Sequence, residues 1–329
     1  MARSYRALAM GNTGVASAND SSALFYNPAV LANVKGWWLD YAAWTVEVSE
    51  GFNSEDAGVI IADVSYPYLN REGLTNETTE QFLARENPYL RANSHITYTA
   101  SLMDEGLSIA AAYMIENTIT TIDGGDNVYH RDDLVKKIGL SIPLARGKLV
   151  FGFAWADIAR RESIDPSSDA EPNWGNQETG KAYDIGILYR MANKARMTWG
   201  LVVYNYGGTD FGSSVNAIEQ SYAFGVSMNH EAGIFKFVPA VDVRQIGSTS
   251  DRKNTLHAGL EIGLFPNATG GSYLSYRLGW NDGYASTGLE LNLFNRYMVF
   301  GYSAYGEEAG DESEKSESRR SVYYFSMGF

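Results

Sequence analysis

From about Trp37 to the C-terminus, apolar and polar residues alternate with a period of two. That is the period of a strand and not of a helix, and it constrains this chain more than any other feature. Leu107, Ile109, Ala111, Tyr113 and Ile115 fall on one face, opposite Ser108, Ala110, Ala112, Met114 and Glu116. Tyr222, Phe224, Val226 and Met228 oppose Ser221, Ala223, Gly225, Ser227 and Asn229 in the same way. Leu256, Ala258, Leu260 and Ile262 oppose Thr255, His257, Gly259 and Glu261. A helical span is excluded, because no apolar run reaches the roughly eighteen residues it needs.

Fourteen such segments can be counted, beginning near Trp37, His95, Gly106, Leu134, Lys148, Lys181, Arg196, Glu219, Ile234, Asn254, Gly271, Tyr284, Arg296 and Arg320. The connections alternate in length. Asp104-Glu105, Ala145-Arg146-Gly147, Asn193-Lys194-Ala195, Glu231-Ala232-Gly233 and Phe294-Asn295 are short, as is the turn from Pro266 to Gly270. The intervening set is longer and polar, with loops at 49–93, 123–133, 162–180, 207–218 and 306–319, and only Asn281-Asp282-Gly283 among them is tight. Short turns on one rim and long loops on the other are the pattern of a transmembrane barrel. The predicted fold is therefore all-β: a 14-stranded antiparallel transmembrane β-barrel over residues 37–329, with residues 1–36 as a separate plug inside the lumen. An even strand number returns the C-terminus to the short-turn rim.

A soluble propeller or sandwich also alternates apolar and polar residues. No repeat of blade length is visible, however, and the apolar face persists in every segment. Tyr, Trp and Phe make up 13% of the chain, which suits aromatic girdles at two membrane interfaces. The net charge of −13 argues against nucleic acid as a partner. With no cysteine there is no disulfide, thiolate chemistry or Cys-based metal site. Met1-Ala2-Arg3 leads directly into polar sequence, so an exported chain of this kind is expected to have had a signal peptide removed.

Residues 1–36 do not alternate. They contain Met10-Gly11-Asn12-Thr13-Gly14-Val15-Ala16, then Asp20-Ser21-Ser22-Ala23-Leu24-Phe25-Tyr26-Asn27-Pro28-Ala29-Val30-Leu31-Ala32. Gly11 and Gly14 permit close backbone approach. Ser21 or Ser22 is placed to cap a short helix that Pro28 ends or kinks. A fourteen-stranded barrel is too wide for its own side chains to fill, so this segment is the natural occupant.

The stretch resembles the opening of the FadL family of long-chain fatty-acid transporters, with Asn27-Pro28-Ala29 at the heart of the matching motif. It is also similar to PorV- and PorQ-type secretion barrels and to TraF-like conjugation proteins. The resemblance implies a monomeric outer-membrane barrel in which Gly11, Gly14, Phe25, Tyr26, Asn27, Pro28 and Ala29 form a gating hatch. It also implies uptake of a hydrophobic, fatty-acid-like ligand that leaves sideways at a kinked third strand. The third segment here, Gly106 to Ile122, has no proline or interior glycine to mark such a kink. The last segment ends with Tyr323, Phe325, Met327 and Phe329 on one face, which resembles the signal read by the barrel-assembly machinery.

The face assigned to the lumen carries charges of both signs, among them Glu116, Lys137, Asp184, Arg190, Lys236, Asp242, Arg244, Glu261, Arg277 and Glu290. The simplest expectation is that they pair with one another or with Arg3, Arg6, Asp20 and Lys35 of the plug. Lys236, Arg244 and Arg277 are the candidates to receive a ligand's head group. No enzyme constellation is visible: His95, His130, His230 and His257 are isolated, without metal-ligand spacing, and no cofactor motif is present. The acidic 306–319 loop is expected at the cell surface facing lipopolysaccharide. The apolar stretches Val59 to Val64 and Tyr66 to Leu69 would then fold over the barrel mouth as a lid. Three functions stay open: hydrophobic uptake, a protein-binding barrel of a secretion or conjugation system, and a general porin.

Overall fold

The computed structural model describes residues 4–49, 88–102, 107–122, 126–166, 173–192, 196–212, 215–247, 255–267, 270–308 and 317–328. The strands are β1 (Trp37–Ser49), β2 (Tyr89–Ser101), β3 (Ser108–Ile122), β4 (Asn127–Leu144), β5 (Leu149–Pro166), β6 (Glu178–Arg190), β7 (Thr198–Tyr204) and β8 (Ser221–Ser227). They continue with β9 (His230–Ala232), β10 (Phe235–Ile246), β11 (Thr255–Pro266), β12 (Ser272–Asn281), β13 (Tyr284–Leu293), β14 (Met298–Glu308) and β15 (Glu317–Gly328). Each pairs antiparallel with its neighbour, and β1 pairs with β15, which closes the barrel. β8 and β9 both lie along β10, so they form one stave interrupted at Met228-Asn229, and the barrel has fourteen staves.

The period-two pattern sets which side chains meet lipid. Phe151 and Phe153 on β5, Leu201 on β7, Phe224 on β8 and Leu289 and Leu291 on β13 all point outward and are exposed. Tyr189, Trp199 and Tyr297 mark the short-turn rim, and Tyr113, Tyr183, Tyr222 and Trp280 stand nearer the other rim. Next to Tyr113 in the register stands Lys136, whose partner is Asp157, itself opposite Lys181. Charges facing outward at that level place the edge of the hydrocarbon region there.

Several strands run farther than the alternation predicts. β2 begins at Tyr89 and not near His95, and β4 begins at Asn127 and not near Leu134. The predicted loops 49–93, 123–133, 162–180 and 306–319 each shorten accordingly, because β5 reaches Pro166 and β14 reaches Glu308. Beyond the bilayer both faces of a strand are polar, so the period disappears while the hydrogen-bonded ladder continues. Asp133 and Arg160 pair on the inner face there, and Asp132 and Arg161 pair on the outer face. The Asp282-Gly283 turn is as short as expected, with both residues at positive φ (48° and 108°), as a two-residue hairpin turn requires.

β3 holds an unbroken register with both β2 and β4, so the wall carries no kink at the third strand. The irregularity in that region lies in β1, where the register slips between Asp40 and Ala43.

The N-terminal segment lies inside the barrel. It comprises α1 (Tyr5–Ala9), α2 (Ala23–Tyr26) and a 3₁₀ turn (Pro28–Asn33), almost wholly buried. Ser22 does cap α2 in position, but no side chain closes the cap, and Asp20 Oδ1 instead accepts the Ser22 N–H at 2.9 Å. Pro28 opens the 3₁₀ turn, where its missing N–H costs nothing, and the Asn27 Oδ1 accepts the Ala29 N–H at 3.0 Å. Arg3, the apolar stretches of the first long loop and Phe329 lie outside the described residues.

Candidate functional site

The plug follows the inner wall as an arc, and glycines on the wall make room for it. A Cβ at Gly259 or Gly279, which are register partners on β11 and β12, would fall inside the backbone of Met10 and Gly11. One at Gly152 or Gly186, partners on β5 and β6, would collide with Asn27 to Ala29. Gly139, Gly200, Gly225, Gly288 and Gly301 continue the belt beneath Leu24, Val15, Ala9 and Tyr5. β10 has no glycine in this arc, and there Asp242 accepts the backbone N–H groups of Gly14 (2.7 Å) and Val15 (3.0 Å).

Polar side chains fix the rest of the plug. His257 Nδ1 lies 2.8 Å from the Gly11 carbonyl, and the Ser286 hydroxyl accepts the Gly11 N–H at 2.9 Å. Ser227 donates to the Ala16 carbonyl at 3.0 Å, and Tyr204 donates to the Tyr26 carbonyl. Asn27 is wholly buried and donates to the Val15 carbonyl at 2.9 Å, so one amide ties both halves of the plug together. Near the short-turn rim, Glu261 accepts from Arg6 (2.9 Å) and Arg277 (2.8 Å), and Glu290 accepts from Arg277 (2.7 Å) and from the Tyr5 hydroxyl (2.5 Å).

The three predicted head-group residues are thus dispersed. Arg277 is held between Glu261 and Glu290, beneath Tyr5. Lys236 donates to the Gly270 carbonyl near the short-turn rim. Arg244 lies toward the other rim, over the Tyr26 ring (5.2 Å), and donates to the Asn12 carbonyl at 3.1 Å. The structure does not bring them to one point.

A feature that periodicity does not reveal runs along the long-loop side of the wall and spans the arc, β15 to β3, where no glycine receives the plug. Charges of alternating sign run from Glu307 to Arg320 (2.6 Å), Glu47 (3.4 Å), Arg91 (2.5 Å) and Glu116 (3.6 Å). The chain continues to Arg131 (3.1 Å), Asp133 (3.2 Å) and Arg160 (2.6 Å). It crosses β14, β15, β1, β2, β3, β4 and β5 in one continuous ladder. Half of its members, Arg91, Arg131, Asp133 and Glu307, fall in segments whose sequence reads as loop, which is why the pattern was hidden.

Two lumen cavities are lined by described residues. The upper one, a vestibule of about 330 Å³ on the long-loop side, has an apolar wall of Met114, Val135, Ala156, Ile158 and Ala182, faced by Arg244 and His257. The lower one, about 70 Å³, lies between the plug and Thr45, Asn93, His95, Tyr324 and Ser326. Phe25 of the plug and Met114 of β3 are common to both linings. The Phe25 ring is held by Lys137, whose Nζ is 5.4 Å from its centre and 2.5 Å from Asp184 Oδ2. Neither Met114 nor Lys137 stands out in the sequence as a partner of Phe25, since they are separated from it by about ninety residues or more.

No protein-family model and no curated protein matches the chain. Solved structures do. The chain is similar to a TodX monoaromatic hydrocarbon channel mutant (13% identity, 99% of this chain and 98% of that one, TM-score 0.60). It is similar to the CymD monoaromatic hydrocarbon channel (12%, 98% and 95%, TM-score 0.57). A Pseudomonas aeruginosa FadL homologue also matches (9%, 98% and 97%, TM-score 0.57). The chain therefore has the fold of the FadL-type channels over its whole length.

Proposed function

We propose that this barrel stands in the outer membrane of a Gram-negative-type bacterium and takes up small hydrophobic molecules, with the N-terminal segment as its hatch. The observation that carries the reading is the pair of cavities that meet at Phe25 and Met114. A pocket of a few hundred Å³ with mostly apolar walls and a few placed polar groups is the usual form of a small-molecule site. The vestibule has that size and one continuous apolar wall, of Met114, Val135, Ala156, Ile158 and Ala182, although charged and polar side chains line the rest of it. Two of the similar structures are channels for monoaromatic hydrocarbons, which supports the same class of cargo.

Of the three basic candidates, Arg244 is the one that lines the vestibule, so a fatty-acid-like ligand would present its carboxylate there. Lipopolysaccharide would surround the long-loop rim. Phe325 and Met327 would serve as part of the signal to the assembly machinery. Phe325 stacks on Trp44, 5.5 Å between ring centres, so its ring also closes the outer face of the β15–β1 seam.

Entry of the neutral dye N-phenylnaphthylamine into cells with an intact outer membrane tests the reading. Cells making the chain should take it up several-fold faster than cells making none. Equal rates, with the barrel folded and inserted, would rule out hydrophobic uptake. High ion conductance of the unaltered protein would point to a general porin instead.

A further inference from the structure

The plug has two unlike sides. Its outer side rests backbone-to-wall on the glycine belt from β4 to β8 and from β11 to β14. Its inner side carries Phe25, which lines both cavities together with Met114 of the arc of wall where no glycine receives the plug. The lower cavity runs beside this bare arc, and the vestibule meets it at Met114 and Glu116. The lower cavity, at about 70 Å³, has room for roughly two waters and no organic molecule, taking about 30 Å³ per water. Something must therefore move before cargo can pass below Phe25. Removing the whole plug would break the Asp242, His257, Tyr204 and Glu261 contacts together and empty the glycine belt. Moving one ring would give up its contact with Lys137 and its packing in the apolar cluster, and would leave those hydrogen bonds in place.

We infer that cargo passes beside a stationary plug, and that the Phe25 side chain, latched by Lys137 and Asp184, is the gate between the vestibule and the lower chamber. This rests on the uptake reading and names the part of the hatch that moves. α2 is only four residues long, and the flanking contacts at Val15 and at Asn27 to Ala29 stay in place when the ring rotates. Asp184 Oδ1 also accepts the Asn205 N–H at 2.9 Å, so the latch is tied to the loop that follows β7. An apolar molecule on the vestibule wall would compete with Lys137 for the face of the ring. It would open the gate by taking the ring's place against Met114.

The chain has no cysteine, so a disulfide can be placed cleanly between plug and wall, at Ala16→Cys with Ser227→Cys. Planar-bilayer conductance in KCl and N-phenylnaphthylamine entry are the two readouts. Phe25→Ala, and Met114→Ala from the wall side, should each raise conductance several-fold over the unaltered chain, while Phe25→Trp should not. The oxidised disulfide should leave both readouts unchanged. If neither alanine variant conducts more, or if oxidation stops dye entry, the stationary-plug gate is wrong even where uptake itself is real. If the alanine variants conduct more but the unaltered chain never admits dye, the gate stands and the hydrophobic-uptake reading fails.

Discussion

Asp242, buried on β10, accepts the backbone N–H of Gly14 at 2.7 Å, and its same oxygen also takes the N–H of Val15. One wall carboxylate thus holds two plug amides that have no water to turn to. Replacing it by alanine strands both, and a buried donor without a partner costs about 1–3 kcal/mol. Asp242→Ala should therefore expose residues 4–35 to added protease while the barrel keeps its heat-modifiable gel mobility. Asp242→Asn, which retains an acceptor, should be protected nearly as well as the unaltered chain. Equal cleavage of all three would show that the anchor is unimportant.

The glycine belt makes a steric prediction. Gly279→Val adds a side chain where the backbone of Met10 and Gly11 runs, and no rotamer avoids it. The plug should lift from β11 and β12, and single-channel conductance should rise. Leu278→Val, on the lipid face one residue away, should leave conductance as it was. An unchanged current for Gly279→Val would mean the wall yields instead of the plug.

Glu261 neutralises two buried guanidinium groups, Arg6 of the plug and Arg277 of the wall. Removing one member of a buried ion pair costs about 3–5 kcal/mol, because the other charge is left in a poor solvent. Glu261→Gln should lower the midpoint of urea unfolding, and adding Arg6→Met should restore part of the loss. Additive losses in the double variant would show that the two side chains are not coupled.

The ion-pair ladder and the surface pairs should respond differently. Glu47, wholly buried, joins Arg91 and Arg320, whereas Glu317 and Arg319 pair at 2.9 Å with each side chain more than a third exposed. Exposed pairs contribute at most about 1 kcal/mol and are screened by salt, while buried ones are screened much less. Glu47→Ala should therefore destabilise the barrel markedly at any ionic strength, and Glu317→Ala should have a small effect that vanishes in high salt. Denaturant melts at two salt concentrations distinguish them.

Much of this molecule is legible in the order of its residues. A strand crossing lipid must turn one face to hydrocarbon and one to the lumen, so Tyr222, Phe224 and Val226 reveal both the strand and its outward face without a neighbour. The breadth of a fourteen-stave barrel demands an occupant, and the non-alternating residues around Asn27-Pro28-Ala29 supply it. Above the bilayer that constraint lapses. Arg131 and Asp133 lie where both faces of their strand are polar, so the sequence reads as loop where the ladder continues.

What the sequence by itself determined is therefore whatever depends on one strand and its solvent: the fold class, the lipid face, the rims and the existence of a plug. Only the tertiary structure decided which residues meet across the lumen. Phe25 lines two cavities together with Met114 and meets Lys137, Gly11 settles against Gly279, and Glu47 joins Arg91 and Arg320 because barrel closure brings distant staves to a common interior. Periodicity fixes the side to which a residue points. It carries no information about what stands opposite, since that depends on register and curvature summed over the whole sheet.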